Sequence, residues 1–327
     1  MKAILVKEPG GIEQLTLTEI KQPKPQAGEV LVKVKASAVN RADIVKRVGK
    51  YPNQAKENIS LGLEVSGIVE EVGSNISKYK IGDEVCGLMA EGGYAEYAIL
   101  REDIIIPKPD NLSFVEAAAI PEVFMTAYQT LFWLGKLKRG EHVLIHAGGS
   151  GVGTAAIQLA KQAGAIVTVT AGSQEKLEFC KTLGADTLIN YKTETFSDVI
   201  LEETKKRGVD LILDFIGASY WDMNMKSIAV DGRIVLIGLL GGARVENFNL
   251  NHILAKRIQV TGTLLNPRSD QYKADLVNDL VESSLELFKT GELKPIVDST
   301  YELADVGKAH DYMQASKNIG KIVLTVN

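Results

Sequence analysis

The sequence has few residues of the kinds that bind metals or form crosslinks. Among its 327 residues are two cysteines, Cys86 and Cys180, and four histidines. Two thiols cannot build a disulfide framework or a four-cysteine zinc site, and the histidines are dispersed without ligand spacing. Both cysteines lie in apolar contexts and are expected to be buried. The sequence therefore predicts no metal site and a reducing, cytoplasmic setting.

Long hydrophobic runs and an excess of positive charge are also missing. No stretch reaches the roughly 18 uninterrupted apolar residues of a membrane helix. Charges at Lys7 and Glu8 interrupt the first residues, so neither a signal peptide nor a membrane span is expected. The net charge of −4 argues against a nucleic-acid binder, which is usually basic. With 45% hydrophobic and 24% charged residues, the composition is that of a globular protein.

The order of the predicted elements indicates two domains, one of them split. Residues 1–110 consist of short alternating strands and turns, typical of a compact, mainly β domain. Strands then alternate with helices of about 10–15 residues, which predicts βαβ units and a parallel sheet. The last residues return to a mixed pattern. We therefore expect a doubly wound α/β Rossmann domain at residues 124–265, inserted between residues 1–123 and 266–327 of the mainly β domain.

A glycine-rich loop is the strongest functional motif. The hydrophobic strand at His142–Ala147 leads into Gly148-Gly149-Ser150-Gly151-Val152-Gly153, and a helix is predicted from Thr154 to Ala163. Glycines let the backbone approach a pyrophosphate, which binds at the N-terminus of the helix. Ser150 replaces the middle glycine of the usual GxGxxG pattern, but the strand before and the helix after make a dinucleotide site the preferred interpretation over an ordinary turn.

The residues after the second strand favour NADPH as the cofactor. NAD enzymes usually carry an acid about 20 residues after the glycine loop, at the end of this strand. Here the strand ends at Thr170 without an acid, although Glu175 follows nearby. Ser173 and Lys176 can contact a 2′-phosphate, and Tyr191 after the third strand is expected beside it. The alternatives are that Lys176 is a solvated helix charge and that the protein prefers NADH.

Several motifs spread over essentially the whole chain resemble those of one enzyme family. The chain is similar to the zinc-independent quinone oxidoreductases of the medium-chain dehydrogenase/reductase superfamily, in particular to the animal enzymes and their bacterial relatives. The resemblance rests on Asn40-Arg41-Ala42-Asp43, Gly62–Gly67, Ala118–Glu122, His146–Gly153, Thr170–Gln174, Ile189-Asn190-Tyr191, Leu213–Gly217 and Asn318–Val323. It implies a GroES-like catalytic domain with the Rossmann domain inserted, and NADPH-dependent reduction of a quinone.

The resemblance also implies the absence of a catalytic zinc. Where zinc alcohol dehydrogenases have their cysteine and histidine ligands, this chain has Asn40 and Leu63, and the third position corresponds to Glu122 or a neighbour. Glu64 alone cannot hold a catalytic zinc, which needs three good protein ligands. Glu64 is therefore expected to be a buried structural carboxylate.

Candidate catalytic residues come from the first domain. Asn40 and Asp43 are three residues apart on a predicted helical turn and share a face, where they are candidates to orient nicotinamide or substrate. Tyr51 matches a family tyrosine that faces the cleft, and its hydroxyl can donate to the quinone oxygen. The alternatives are a local cap or salt bridge for Asp43 and loop packing for Tyr51. His146 is interpreted as a packing residue at a strand end.

The resemblance implies further cofactor contacts from both domains. They are Thr126, Gly217, Leu239, Leu240, Thr263, Leu264, Leu265 and Asn318. For each of the leucines, packing in an apolar core is the alternative interpretation.

Three functions and one assembly follow. A quinone reductase is preferred, and an NADPH-dependent reductase of enones or enoyl thioesters is the first alternative. A thioester would need a basic rim for the coenzyme A phosphates, for which Arg244, Lys256, Arg257 and Arg268 are available. The other alternative is an NADPH-binding regulatory or structural protein. The last strand of the inserted sheet, near 257–264, would leave an exposed edge, so a homodimer paired through it is expected.

Overall fold

The computed structural model describes residues 1–51 and 57–327. The strands of these residues are β1 (Lys2–Val6), β2 (Leu15–Glu19), β3 (Glu29–Val39), β4 (Ile59–Ser60), β5 (Glu64–Val72), β6 (Glu84–Leu88), β7 (Tyr97–Arg101), β8 (Ile105–Pro107), β9 (His142–Ile145), β10 (Ile166–Ala171), β11 (Thr187–Asn190), β12 (Val209–Asp214), β13 (Ile228–Leu236), β14 (Gln259–Gly262), β15 (Val297–Glu302) and β16 (Lys321–Thr325). The α-helices are α1 (Arg41–Arg47), α2 (Phe114–Ala117), α3 (Pro121–Tyr128), α4 (Gly151–Gln162), α5 (Gln174–Thr182), α6 (Phe196–Glu203), α7 (Trp221–Ser227), α8 (Asn251–Lys256), α9 (Asp270–Thr290) and α10 (Val306–Gln314).

The chain forms two compact units. The split unit comprises Met1–Met125 and Asn266–Asn327, and the inserted unit comprises Thr126–Leu265. The division expected from the sequence placed the first boundary between residues 123 and 124. None of the helices in the described ranges is long and apolar enough to cross a membrane.

The inserted unit is built on a parallel six-stranded sheet. Its strand order is β11-β10-β9-β12-β13-β14, and all neighbouring pairs are parallel. The central strands β9 and β12 are almost entirely buried, as expected for a sheet with helices on both faces. The chain order reverses between β10, β9 and β12, the topological switch point at which doubly wound folds bind dinucleotides.

The split unit is mainly β. In its described residues, a seven-stranded sheet has the order β15-β16-β3-β5-β6-β8, with β7 also pairing β3, and a three-stranded sheet has the order β2-β1-β4. The long strand β3 directs valines such as Val30, Val32 and Val34 into a core that also contains Ile322 and Leu324 of β16. The two ends of the chain are therefore held together by β3–β16 pairing.

Several helices begin or end at residues that favour a helix boundary. The Ser113 hydroxyl accepts a hydrogen bond from the Glu116 N–H, and the Glu116 carboxylate accepts from the Ser113 N–H, so the capping box forms. Helix α2 ends at Ala117, and α3 begins at Pro121. Gly291 ends α9 in the left-handed region at a φ of 77°.

Two other boundaries were predicted wrongly. Helix α4 begins at Gly151, three residues before the predicted Thr154, because the Ser150 hydroxyl caps it by accepting from the Gly153 N–H. The last strand of the inserted sheet covers only Gln259–Gly262 of the expected 257–264. Arg257 ends α8 in the left-handed region at a φ of 51°, which keeps this residue out of the strand.

Candidate functional site

The glycine loop joins β9 to α4 in a tight turn of the backbone. Ala147 has a positive φ of 50°, which is uncommon for a residue with a side chain. A Cβ atom added to Gly153 would lie 2.5 Å from the Ala147 carbonyl oxygen and 2.6 Å from that of Gly148. Only glycine therefore allows the first turn of α4 to pack this closely on the loop.

Two further glycines of the loop lie against side chains of the inserted unit. A Cβ on Gly148 would approach the Val169 Cβ to 2.9 Å and the Cys180 sulfur to 3.1 Å. A Cβ on Gly149 would be 3.2 Å from Cδ of Lys176. The lysine stem thus lies beside the glycine loop. A closely approached backbone at a helix N-terminus fits the pyrophosphate of a dinucleotide.

The residues predicted for the 2′-phosphate lie together at the ends of β10 and β11. Ser173 caps α5, with its hydroxyl accepting from the Lys176 N–H at 3.4 Å. The Tyr191 hydroxyl lies so close to Gly172 that a Cβ there would overlap it. Glu175 is exposed in the first turn of α5. Ser173, Lys176 and Tyr191 therefore lie around one short segment, and no acid ends β10.

The other predicted cofactor residues of the inserted unit differ in exposure. Gly217 has a φ of 81°, and its N–H donates to the Asp214 carboxylate at 3.0 Å. The Thr263 hydroxyl donates to the Gln129 side-chain oxygen at 3.2 Å. The side chains of Leu239, Leu240 and Leu264 are exposed, whereas those of Thr126 and Leu265 are buried. The exposed leucines are available to a ligand, whereas Leu265 packs as core.

In the split unit, Asn40 and Asp43 form the N-terminal cap of α1. The Asn40 N–H donates to Asp43 at 2.8 Å, and the Gly62 N–H and Tyr94 hydroxyl donate to the same carboxyl group at 3.0 and 2.9 Å. Asp43 is fully buried, and burial raises its pKa. These bonds are those of the local cap that the sequence left as the alternative for Asp43.

A buried ion pair between Glu64 and Lys321 lies beside Asn40 and the backbone of Glu122. The Lys321 ammonium group lies 2.8 Å from Glu64, donates to the Asn40 side-chain oxygen at 2.6 Å and also donates to the Val39 carbonyl. The Asn40 amide and the Glu122 N–H donate to Glu64 at 2.9 and 2.8 Å. Glu64 is thus a buried structural carboxylate, as expected.

This donor set does not fit a zinc ion. An ammonium group bound to the one suitable carboxylate opposes a second cation by charge and position. Asn40 and Leu63 also supply none of the thiolate or imidazole ligands that zinc prefers. Over the described ranges, no three His, Cys, Asp or Glu side chains are grouped so that they could hold a metal.

Two other predicted residues of the split unit have local contacts. The Lys46 ammonium group lies 5.4 Å from the centre of the half-buried Tyr51 ring and donates to the Ala90 carbonyl at 3.0 Å. The Asn318 amide donates to the Gly320 carbonyl at 2.7 Å. Lys46 therefore holds the Tyr51 ring by a cation–π contact, and the Asn318 side chain stabilises the turn before β16.

Both cysteines are buried, and their surroundings make the thiols poor nucleophiles. Cys86 and Cys180 are fully inaccessible. Burial raises the pKa of Cys86 well above its ordinary value and that of Cys180 to about 11. Neither thiol has the lowered pKa of a nucleophile.

Comparisons with known proteins define the class. A family model described as zinc-binding dehydrogenase matches residues 151–282, and one described as alcohol dehydrogenase GroES-like domain matches residues 26–110. The chain belongs to the medium-chain dehydrogenase/reductase superfamily of oxidoreductases, whose fold binds a pyridine nucleotide. The prediction of a Rossmann domain with a GroES-like domain is thereby confirmed.

Individual relatives cover the chain almost completely. The quinone oxidoreductase of Mus musculus is 33% identical over 99% of this chain and 97% of its own length. An NAD-dependent alcohol dehydrogenase structure has a TM-score of 0.90 at 32% identity, with 100% of both chains covered. The structure of a mycobacterial protein complexed with NADPH has a TM-score of 0.90 at 30% identity, and 100% of both chains is covered. The structure of the CurK enoyl reductase has a TM-score of 0.90 at 29% identity, with 100% of this chain and 99% of that chain covered.

Sequence reasoning missed Lys321 as a partner of Asn40 and Glu64. The motif Asn318–Val323 contains Lys321 but does not indicate the partners of this residue. It also missed the polar partners of His146 beneath the glycine loop, which are Thr170 and Asn224. A lysine inside an otherwise apolar strand such as Lys321-Ile322-Val323-Leu324 was the available signal, because a lysine is almost never fully buried unless it is paired.

Proposed function

We propose that this protein transfers hydride from NADPH to a quinone without the help of zinc. The observation that carries the proposal is the position of Lys176. Its stem lies over Gly149 of the glycine loop, and its backbone is capped by Ser173 next to a strand end without an acid. The pair supplies a positive charge and a hydroxyl where NAD enzymes place a carboxylate, and a 2′-phosphate needs such groups.

The residues of the chain would contribute binding and orientation. The glycine loop, residues 148–153, would hold the pyrophosphate at the start of α4. NADPH, when bound, supplies the hydride. In the inserted unit, the exposed Leu239, Leu240 and Leu264, with Thr126, Gly217 and Thr263, are proposed to line the nicotinamide and substrate region. In the split unit, Asn318 is proposed as a cofactor contact. Tyr51, held by Lys46, is proposed to donate its hydroxyl to the acceptor oxygen.

The choice of a quinone is supported by the described residues, among which no group of side chains suits a metal ion. A quinone accepts hydride readily because the product is aromatic, so placement against nicotinamide supplies most of the catalysis. The Asn40–Glu64–Lys321 cluster is consistent with that chemistry, since its charge is already balanced internally. The curated quinone oxidoreductase relatives also support a quinone acceptor.

The test is NADPH oxidation with four acceptors in parallel: an ortho-quinone, a para-quinone, an enone and an enoyl-CoA. We expect turnover of at least one quinone, and at least about tenfold higher kcat/KM than with the enoyl-CoA. Turnover of the enoyl-CoA alone would refute the proposal. Quenching of tryptophan fluorescence by NADPH without turnover of any acceptor would instead indicate a regulatory or structural NADPH-binding protein.

The second candidate is an enone or enoyl-thioester reductase. It is favoured by the similarity to the CurK enoyl reductase. The basic residues that would form a rim for coenzyme A are partly engaged elsewhere: the Lys256 ammonium donates to the Met225 and Ile228 carbonyls at 2.8 and 2.7 Å, and Arg257 pairs with Asp231. These contacts favour the quinone.

We further propose that the split unit is the catalytic domain, that the inserted unit is the dinucleotide-binding domain, and that the protein is a homodimer. Strand β14 is at the edge of its sheet, and every residue of it is exposed. Leu250 and Leu254 in and beside α8 are also strongly exposed, at 71% and 77%. Pairing of two β14 strands across a two-fold axis would cover this edge.

A further inference from the structure

A chain of buried polar groups lies beneath the switch point of the inserted sheet. It links Thr170 at the end of β10, His146 directly after β9, Asn224 in α7 and Asp214 at the end of β12, all of which are buried. These three strands are neighbours in the sheet. The group therefore joins the carboxyl ends of the strands from which the candidate cofactor loops begin.

The hydrogen bonds of this chain determine the tautomer of His146. The Asn224 amide nitrogen donates to Asp214 at 3.0 Å, so its oxygen is the atom that faces the His146 Nε2 at 2.8 Å. An amide oxygen accepts, so Nε2 carries the proton. Burial lowers the pKa of His146 and keeps the ring neutral, so Nδ1 accepts from the Thr170 hydroxyl at 3.0 Å.

Asp214 extends the same chain into the loops. One oxygen of its carboxyl group accepts from the Ile216 and Gly217 N–H groups at 2.7 and 3.0 Å. Its carbonyl accepts from the Ile237 N–H at 2.7 Å, just before Leu239 and Leu240. On the other side, the His146 N–H donates to the Leu213 carbonyl, and Ala147 begins the glycine loop. The His146 ring packs against the rings of Phe196 and Tyr220, whose centres each lie 4.9 Å from its own.

We infer that His146 is a positioning residue for the cofactor: as a neutral Nε2–H tautomer it fixes the glycine loop relative to the loop that carries Gly217. This inference rests on the proposed binding of NADPH, but not on the nature of the acceptor. A protein that binds NADPH and turns over no acceptor would refute the proposed function and leave this inference intact.

The first test is the affinity of three variants for NADPH, measured by tryptophan quenching. His146→Leu removes both hydrogen bonds, and we expect its Kd to rise about tenfold, which corresponds to about 1.4 kcal/mol. His146→Gln keeps one donor and one acceptor, and we expect it to stay within about threefold of the natural protein. His310→Leu is the matched control: it removes an equally buried histidine of the split unit, so it should lower thermal stability without changing the Kd.

Two results would contradict the inference. One is that folded His146→Leu binds NADPH with the same Kd as the natural protein. The other is that His310→Leu raises the Kd for NADPH as much as His146→Leu does. If His146→Leu does not fold, nitrogen-15 NMR of the histidine rings in the unmodified protein decides the matter. The inference requires a neutral Nε2–H ring for His146 at pH 7 and its retention when NADPH binds. A protonated ring or the Nδ1–H tautomer would overturn it.

Discussion

At the scale of single residues, we propose that the Lys176 ammonium group determines the choice between NADPH and NADH. Lys176→Met keeps most of the stem that covers Gly149 and removes only the charge. Because a bond to a charged phosphate contributes about 1.5–3 kcal/mol, the Kd for NADPH should rise at least about tenfold, while that for NADH stays unchanged. Fluorescence titration with each nucleotide measures both values.

Lys181→Met is the control for this prediction. Lys181 belongs to the last turn of the same helix and is exposed, and we expect neither Kd to change. Equal weakening of NADPH and NADH by Lys176→Met would show that the lysine supports the loop without reading the 2′-phosphate. Tighter binding of NADH by the natural protein would favour a role for Glu175 in nucleotide binding.

His310 should make the stability of the protein depend on pH. Burial and the nearby Arg47 lower its pKa to about 3, against about 6.5 in an unfolded chain. Between these values the unfolded state binds more protons, so stability falls as the pH falls, by up to about 1.4 kcal/mol per pH unit. Urea unfolding at several pH values between 6.5 and 5 measures this effect. The free energy of unfolding of His310→Gln should change less with pH than that of the natural protein.

The free energy of unfolding of His310→Gln is still expected to depend on pH to some extent. Burial also lowers the pKa of His146, which contributes in the same direction. If the free energy of unfolding depends on pH equally in His310→Gln and in the natural protein, His310 is not a buried neutral group.

At the scale of elements, the β9–α4 turn depends on the absence of a side chain at Gly153. In Gly153→Ala the new Cβ would meet two carbonyl oxygens of the loop, which have to move. We expect a loss of stability of about 1–3 kcal/mol, the cost of overpacking, and at least about tenfold weaker NADPH binding. Calorimetry and fluorescence titration measure these effects.

Gly307→Ala provides the matched control. Gly307 is also helical, and a Cβ there would meet Ile12 only at 3.7 Å, an ordinary contact. This change should be neutral or slightly stabilising, because alanine favours helices over glycine. A Gly153→Ala protein with natural stability and affinity would contradict the close packing of the loop.

Elements with local signals were predictable, and those that depend on distant partners were not. Ser113 with Glu116, Pro121 and Gly291 mark helix ends through bonds to residues a few positions away. By contrast, the bond from Lys321 to Asn40 spans 281 residues of sequence, and that from His146 to Asn224 spans 78. Such partners are defined only by the sheet order, which the periodicity of the sequence does not specify in atomic detail.

At the scale of the whole molecule, the exposed edge strand β14 predicts a homodimer. Val260 lies in the middle of this strand, and Val260→Lys would place two like charges at the centre of the paired edges. We expect the natural protein to be a dimer by light scattering and this variant to dissociate at least about tenfold more readily. Ile81→Lys, at an exposed apolar residue of the split unit, should remain dimeric.

A monomeric natural protein would refute the dimer proposal directly. A dimer that Val260→Lys leaves unchanged would show that the subunits meet at another surface. Either outcome leaves the assignment of the superfamily untouched, because that rests on full-length similarity.

The overall architecture was more predictable than the chemistry of the split unit. Alternating strands and helices from His142 onward are sufficient to predict the parallel sheet, because the periodicity of each element is local. For Asp43, the sequence left a catalytic residue and a cap as alternatives. Its bonds to Gly62 and Tyr94 are those of a buried cap, and these partners are not close in sequence.

The most direct test of the proposed activity is the kcat/KM for an ortho-quinone after exhaustive treatment with a chelator and confirmation that no zinc remains. We predict that the value with NADPH is unchanged by this treatment. We also predict that it exceeds the value with NADH at least about tenfold, the ratio expected from one charge-assisted contact to the 2′-phosphate. Loss of activity that added zinc restores, or equal rates with the two nucleotides, would contradict the account.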